Sequence, residues 1–422
     1  MRFRDPVTMM TKSRGSLRHI AVALALMVLA GCGANPVTPA GTALSGASAR
    51  ATEMAQRIRQ SVHRPVTTNN RLSLTVDREV LPAFMDHLRS ARHSLYMQTF
   101  EFWSDALGRR ICDILVDRHK AGVDVRVILD QIGQNHVDSK VERILRQAGV
   151  AVQVYRATPY VRKSGAGLNI THRKLYLVDG DKAMTGGMNL GEKYLYHAHD
   201  MLWRVDGDAA WIMHDEFRLD WIRAGGKAFD LPLRPHGSYG QEHVGIAVTS
   251  PRERGRESEI RKVLFEAIDK AATRIDMAYP FFSDDALMTR LKAAAKRGVQ
   301  VRVILTTHDR EILRKLNKWS AKQIRPAGVQ MHWYDKSYAH IKYTVIDDAF
   351  LLVGSSNGDT LTFENNQELD LILTEPARIS SFRVRVPDPD WSTTPEISDA
   401  DLDFPWYDKP LAGFLELIDY YM

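Results

Sequence analysis

Cysteine is nearly absent from the chain: Cys32 and Cys112 are the only two in 422 residues. That excludes a disulfide framework as the basis of the fold. Long hydrophobic runs are missing as well. The ten apolar residues from Ile20 to Leu29 are too few to span a bilayer comfortably. They follow Arg2, Arg4, Lys12, Arg14 and Arg18, and a basic stretch before a short apolar one reads as a secretory leader rather than part of the fold. A strong excess of one charge is absent too. The leader holds five of the 57 Lys and Arg and one of the 51 acids, so the rest balances 52 against 50. No global basic field remains to grip a polynucleotide, and nucleic acid is not the expected partner. The histidines outside the two motifs described next are scattered, so neither a metal nor another cofactor is expected.

What is present is a repeated motif. His172-Arg173-Lys174 leads through four residues to Asp179, and His340-Ile341-Lys342 leads through four to Asp347. By ordinary residue usage, one such H-x-K-x4-D is a roughly few-per-cent accident in a chain of this size. The second copy lies 168 residues after the first, and the same offset relates Gly186-Gly187-Met188-Asn189 to Gly354-Ser355-Ser356-Asn357. A carboxylate stands 28 residues after each His: Asp200 and Glu368. The apolar residues Leu175, Leu177, Val178, Val345 and Ile346 indicate buried strands. On a strand, positions i and i+2 share a face, so each motif His projects with its Lys. Two half-sites facing each other would surround one point with two imidazoles, two ammonium groups and two amides, which suits a tetrahedral phosphate.

This pattern resembles the phospholipase D superfamily, whose hallmark is a paired HKD motif. The resemblance runs from about Leu72 to Thr374. Phe217 and Trp221 look like the family segment closing the first half, and Asn366-Gln367-Glu368 looks like its N-x-E. Gly-Gly-Met-Asn-Leu-Gly-Glu is most similar to bacterial cardiolipin synthases and related phospholipid transferases. One departure is Leu361-Thr362-Phe363, where relatives often carry Arg-Ser-Phe. The resemblance implies two similar α/β domains, each a mixed sheet flanked by helices, fused as a pseudo-two-fold repeat with the active site at their interface.

The boundaries follow from composition and repeat. Leu29-Ala30-Gly31-Cys32 resembles a bacterial lipobox, in which Cys32 becomes the lipidated N-terminus after a leader of residues 1–31 is removed. Residues 32–70 then hold the lipidated Cys and a tether, small and polar from Gly33 to Ser48. Residues 71–225 form the first domain, 226–243 a linker, 244–376 the second domain and 377–422 a C-terminal extension. The expected setting is the bacterial envelope, with an outer-membrane lipoprotein facing the periplasm, and the expected form a monomer.

Within the first domain, Leu95–Phe100 and Val123–Leu129 read as strands around a helix from Asp105 to Ala121, with Ser104 as its N-cap. Ile275–Tyr279, Asp284–Arg297 and Val299–Leu305 repeat the order in the second. Cys112 reads as a packing residue. Residues 157–170 read as a loop or exposed connector before the first motif. Residues 386–410 read as irregular, ahead of a short helix near 411–420. His93, His136, His197 and His199 read as surface or packing residues.

Phosphodiester transfer needs an in-line nucleophile, a proton for the leaving oxygen and stabilisation of added negative charge. The family resemblance makes His172 the nucleophile and His340 the acid/base. Lys174, Lys342, Asn189, Ser355 and Asn357 are expected to hold phosphoryl oxygens. Asp200 and Glu368 are expected each to accept the far ring N–H of a His, as the third member of a catalytic triad does. Asp179 and Asp347 are expected to be structural. The expected activity is phosphatidyl transfer or hydrolysis on a phospholipid at a membrane. A periplasmic endonuclease of the same superfamily is the alternative, and a binding protein without catalysis is disfavoured by two intact motifs.

Overall fold

The computed structural model describes Ala49 and residues 52–403, except 55, 59, 157, 163–164, 233–236, 251–257 and 308–310. The leader, the lipobox at Cys32, the small polar segment 33–48 and the helix expected near 411–420 lie outside the described residues.

Two seven-stranded sheets organise the chain. The first is built from β1 (Asn70–Val76), β2 (Ser94–Thr99), β3 (Asp124–Asp130), β4 (Ala151–Tyr155), β5 (Leu175–Val178), β6 (Lys182–Gly186) and β7 (Met201–Gly207). The second is built from β8 (Gly245–Thr249), β9 (Arg274–Tyr279), β10 (Gln300–Thr306), β11 (Gln330–Tyr334), β12 (Tyr343–Ile346), β13 (Phe350–Gly354) and β14 (Glu368–Leu373). The spatial orders are β1-β7-β6-β5-β2-β3-β4 and β8-β14-β13-β12-β9-β10-β11. Every strand of the first sheet thus has its counterpart seven strands later, and the duplication seen in the motifs extends to the whole domain. In each sheet, β2-β3-β4 or β9-β10-β11 run parallel and the remaining pairs antiparallel.

Both faces of each sheet are buried, which the alternation along the strands accounts for. In β12 and β13, Tyr343, Val345, Leu351 and Val353 face a core shared with the first sheet, while Ile346, Phe350 and Leu352 face helices of their own lobe. The shared core also takes Leu72, Leu74, Leu175 and Leu177 from the first sheet. The helices Asp208–Arg223 and Pro376–Arg385 add Phe217, Trp221, Ile379 and Phe382 to it. The lobes are therefore joined by buried apolar surface, which contributes about 25 cal/mol per Å² removed from water.

Several elements differ from the sequence reading. The helix Ala106–Lys120 is capped by Asp105, whose side chain accepts the Gly108 amide, and not by Ser104. Residues 157–170 contain a hairpin rather than a loop: Thr158–Arg162 pairs antiparallel with Gly165–Asn169. The stretch after Val386 is partly helical, over Pro387–Thr393, because proline at the first turn of a helix forfeits no hydrogen bond. Residues 52–62 are not loose tether: Met54, Ile58 and Val62, spaced by one helical turn, pack into the core of the second lobe. Cys112 is buried, and burial pushes its thiol up to about 12.

Candidate active site

The two motifs lie where β5 and β12 begin, and backbone pairing locks each to the opposite lobe. Thr171 bridges Gln367, and the His172 amide donates to the Gln367 carbonyl at 2.9 Å. By the symmetric arrangement, Tyr338–Ala339 pairs in parallel with Ala198–His199, and the His340 amide donates to the His199 carbonyl at 2.9 Å. Gln367 and His199 each immediately precede one of the carboxylates. Main-chain hydrogen bonds therefore deliver each carboxylate to the histidine of the other repeat.

The side chains follow. His172 Nδ1 lies 2.9 and 3.1 Å from the two oxygens of Glu368, and His340 Nδ1 lies 2.7 Å from Asp200 Oδ2. With Nδ1 donating to a carboxylate, Nε2 of each ring is left for the substrate. All four side chains are buried. Burial, aided by the neighbouring Lys174 and Lys342, holds both imidazoles well below their ordinary 6.5. Burial also lifts Asp200 and Glu368 to about 7, against the pull of the two lysines. Phe100 packs edge-on against His172, and Tyr194 against His340, at centroid separations of 5.3 and 5.0 Å.

Lys174 and Lys342 donate to the carbonyls of His172 and His340 respectively, each at 2.7 Å. Each Lys thus curls back over its own motif, beside its His, as the i, i+2 spacing requires. Burial lowers Lys174 to about 7 and Lys342 to about 8. Gly187 is needed for the approach of the lobes: a Cβ there would stand 3.0 Å from Lys342 Nζ and 3.1 Å from the His340 carbonyl oxygen.

The remaining expected residues divide. Asn189 Oδ1 accepts the Glu101 amide at 3.2 Å, which fixes the orientation of its side-chain amide beside the site. Asn357 is buried, and its Oδ1 has no hydrogen-bond partner in the structure. Ser355 differs from expectation: its hydroxyl donates to Glu368 Oε2 at 2.5 Å and accepts the Leu369 amide at 3.1 Å. It supports the carboxylate and is not turned to a phosphoryl oxygen. Asp179 and Asp347 serve the scaffold. Each has positive φ, and each caps the start of a strand: Asp179 accepts the amides of Arg92, His93 and Ser94, and Asp347 those of Ala272, Thr273 and Arg274.

Three contributors escaped the sequence reading. Arg173, fully buried, donates to Glu216 and Asp220 of its own lobe, and to the Glu368 and Thr249 carbonyls and the Ser250 hydroxyl of the other. Glu101 gathers His136 Nδ1 at 2.6 Å, the Trp103 indole N–H at 3.0 Å and the Tyr194 hydroxyl at 2.8 Å. Asp130 accepts the Thr171 amide at 2.8 Å and so fixes the entry to the first motif. Glu101 and Asp130 could have been suspected, as acids at the ends of apolar strands.

Comparison with known proteins identifies relatives in sequence and in fold. The chain is 27% identical over 311 residues to cardiolipin synthase 2 of Bacillus anthracis, covering 71% of this chain and 60% of that protein. It is 28% identical over 323 residues to cardiolipin synthase A of Pseudomonas entomophila, covering 74% and 67%. The chain thus spans about 60% of the length of the Bacillus relative. Among solved structures, phosphatidylserine synthase of Haemophilus influenzae shares the fold, with a TM-score of 0.60 at 13% identity over 86% of this chain and 97% of that one. The family described as cardiolipin synthase, PLD-like domain matches at residues 84–221 and again at 264–386, once per lobe. With both lobes matched and their histidines brought to one site, the chain belongs to the family of cardiolipin synthase, PLD-like domains.

Proposed function

We propose that the chain transfers phosphatidyl groups between alcohols on phospholipids, in the manner of a cardiolipin synthase, through a phosphohistidine on His172. The observation that carries this reading is the crossed arrangement: two His–carboxylate pairs, each shared between lobes, around two buried lysines. In the first half-reaction Nε2 of neutral His172 attacks phosphorus, the P–O bond to the leaving alcohol breaks, and His340 supplies that alcohol with its proton. In the second, His340 takes a proton from the incoming alcohol, whose oxygen attacks phosphorus and releases His172. Water in place of the alcohol would give hydrolysis to the phosphatidic acid. Lys174, Lys342, Asn189 and Asn357 hold the non-bridging oxygens, whose charge grows in the transition state. The relatives named as cardiolipin synthases support the lipid substrate. So does the lipobox-like Cys32, which would place the site at a membrane facing the periplasm.

Mass spectrometry of lipids from cells expressing the chain, with and without His172→Ala, tests this. A dianionic product with four acyl chains should accumulate with the wild type and be absent with the variant. The same product at the same level in both would overturn the assignment.

A further inference from the structure

His199 is buried between two carboxylates. Its Nδ1 lies 2.9 Å from Asp77 Oδ1 and its Nε2 lies 2.9 Å from Asp390 Oδ2. An ionised carboxylate only accepts, so both ring nitrogens must carry protons and the ring is an imidazolium. Burial alone would lower this histidine. The two carboxylates outweigh that and hold it up to about 10. Tyr334 stacks on the ring at 4.8 Å, the two planes nearly parallel.

The clamp bears directly on one half of the site. Asp77 donates its amide to the Asp200 carbonyl at 3.0 Å, and its Oδ1 accepts the Asp200 amide at 3.2 Å. The His199 carbonyl holds the His340 amide. Among the described residues the other half has no counterpart. The position equivalent to His199 is Gln367, whose side-chain oxygen and nitrogen are buried with no hydrogen-bond partner in the structure. Glu368 is steadied by Ser355 and Asn366 of its own lobe.

Asp390 comes from outside both repeats, since the second family match ends at 386. Its helix, Pro387–Thr393, is fastened to the second lobe by Trp391, which stacks on His332 at 3.7 Å and lies under the Arg302 guanidinium at 4.6 Å. The chain beyond it is stitched to β11 through Trp333 to Pro395 and Ile397 to Met331. The helix Pro387–Thr393 thus carries Asp390 from the second lobe to His199 of the first.

We propose that Asp390 is a positioning residue for the Asp200–His340 pair, acting through His199, and that this makes the two near-identical half-sites unequal. The pair it holds is the one that protonates the leaving alcohol, so the inference rests on the function proposed above. The groups facing His340 are Asp200, Lys342, Lys174, His172 and Lys193, with the Tyr194 and Tyr338 rings against it. Of these, Asp200 is hydrogen-bonded to the clamp, through the main chain and side chain of Asp77.

The test uses the full chain with Asp390→Asn and Asp390→Glu, on phosphatidylglycerol and on a phosphatidyl ester of p-nitrophenol, whose leaving group needs no proton. Asp390→Asn should slow the first-turnover release of glycerol from phosphatidylglycerol on the order of tenfold with KM within about twofold, and leave the pre-steady-state burst of nitrophenol within about twofold, since both esters share the second half-reaction. Asp390→Glu should restore most of the loss. An unchanged first-turnover rate on phosphatidylglycerol, or equal first-turnover losses on both esters, would overturn the proposal. His340→Ala run alongside separates the two readings. If it retains phosphatidyl transfer, the proposed function fails on its own account. Histidine-labelled NMR then decides without turnover. In Asp390→Asn the His199 titration should fall from the alkaline to the neutral range and the His340 Nδ1 proton signal should move, while His172 stays. An unmoved His340 signal overturns the positioning role.

Discussion

Asp200 and His340 stand 140 residues apart in sequence and on different lobes, yet their side chains meet at 2.7 Å. Glu368 and His172 make the reciprocal contact across 196 residues. Neither carboxylate serves the histidine of its own repeat.

The crossing makes substitution effects assignable. Asp200→Asn should impair the step that needs His340, and Glu368→Gln the step that needs His172. Each should lower kcat by about two to four orders of magnitude, since a lost carboxylate leaves the ring in the wrong tautomer. In rapid-quench experiments, Glu368→Gln should abolish the covalent phosphoryl-enzyme, while Asp200→Asn should slow its formation from alkyl-leaving lipids only. Identical kinetics in the two variants would refute the division of labour.

Anion binding should be proton-linked. Lys174 at about 7 and Lys342 at about 8 are lowered by burial in the free protein, and a bound phosphodiester favours their charged forms. Asp200 and Glu368, at about 7, ionise over the same range and repel the anion when they do. All four act in one direction: affinity is greatest at acidic pH and falls as pH rises through about 7 to 8. Calorimetry with dimethyl phosphate in buffers of different ionisation enthalpy should report proton uptake near neutrality. Proton release would contradict the sign.

Turnover should peak between two limbs, because attack needs a neutral imidazole and departure a protonated one. The limbs belong to the coupled pair of histidines and not to either alone. Both imidazoles are lowered by burial and the lysines, so the acidic limb should sit below 6.5, the value of a free histidine. A pH–rate profile flat from 5 to 9 would be incompatible with this scheme.

Asp347→Ala removes the acceptor for three backbone amides and one hydroxyl at the start of β9. It should destabilise the fold by about 1–3 kcal/mol while leaving KM unchanged. Denaturant midpoints and steady-state kinetics on the same preparation check this. A loss of kcat without a loss of stability would move Asp347 into the chemistry.

Much of this molecule is written in its repeats. The 168-residue offset gave the motifs, the amides and the carboxylates, and strand order repeats as the duplication implied. The crossing was not legible, because a 28-residue spacing is equally compatible with pairing inside a repeat or across repeats. Arg173 sits between His and Lys, where strand alternation turns it to the opposite face and makes it look like a spacer. Asp390 lay in the segment 386–410, which read as irregular. Its first prolines stand at a helix start instead. Gly165 and Gly167 suggested a loop and belong to a hairpin strand.

The shared histidine–carboxylate pairs have a consequence for how the chain can be divided. Cut in the linker, each half would carry an imidazole and an ammonium but the carboxylate belonging to its partner's ring. Neither fragment could complete a single proton relay, and mixing the two would have to rebuild both relays together or neither. Duplication has here produced an indivisible unit from two copies of one part.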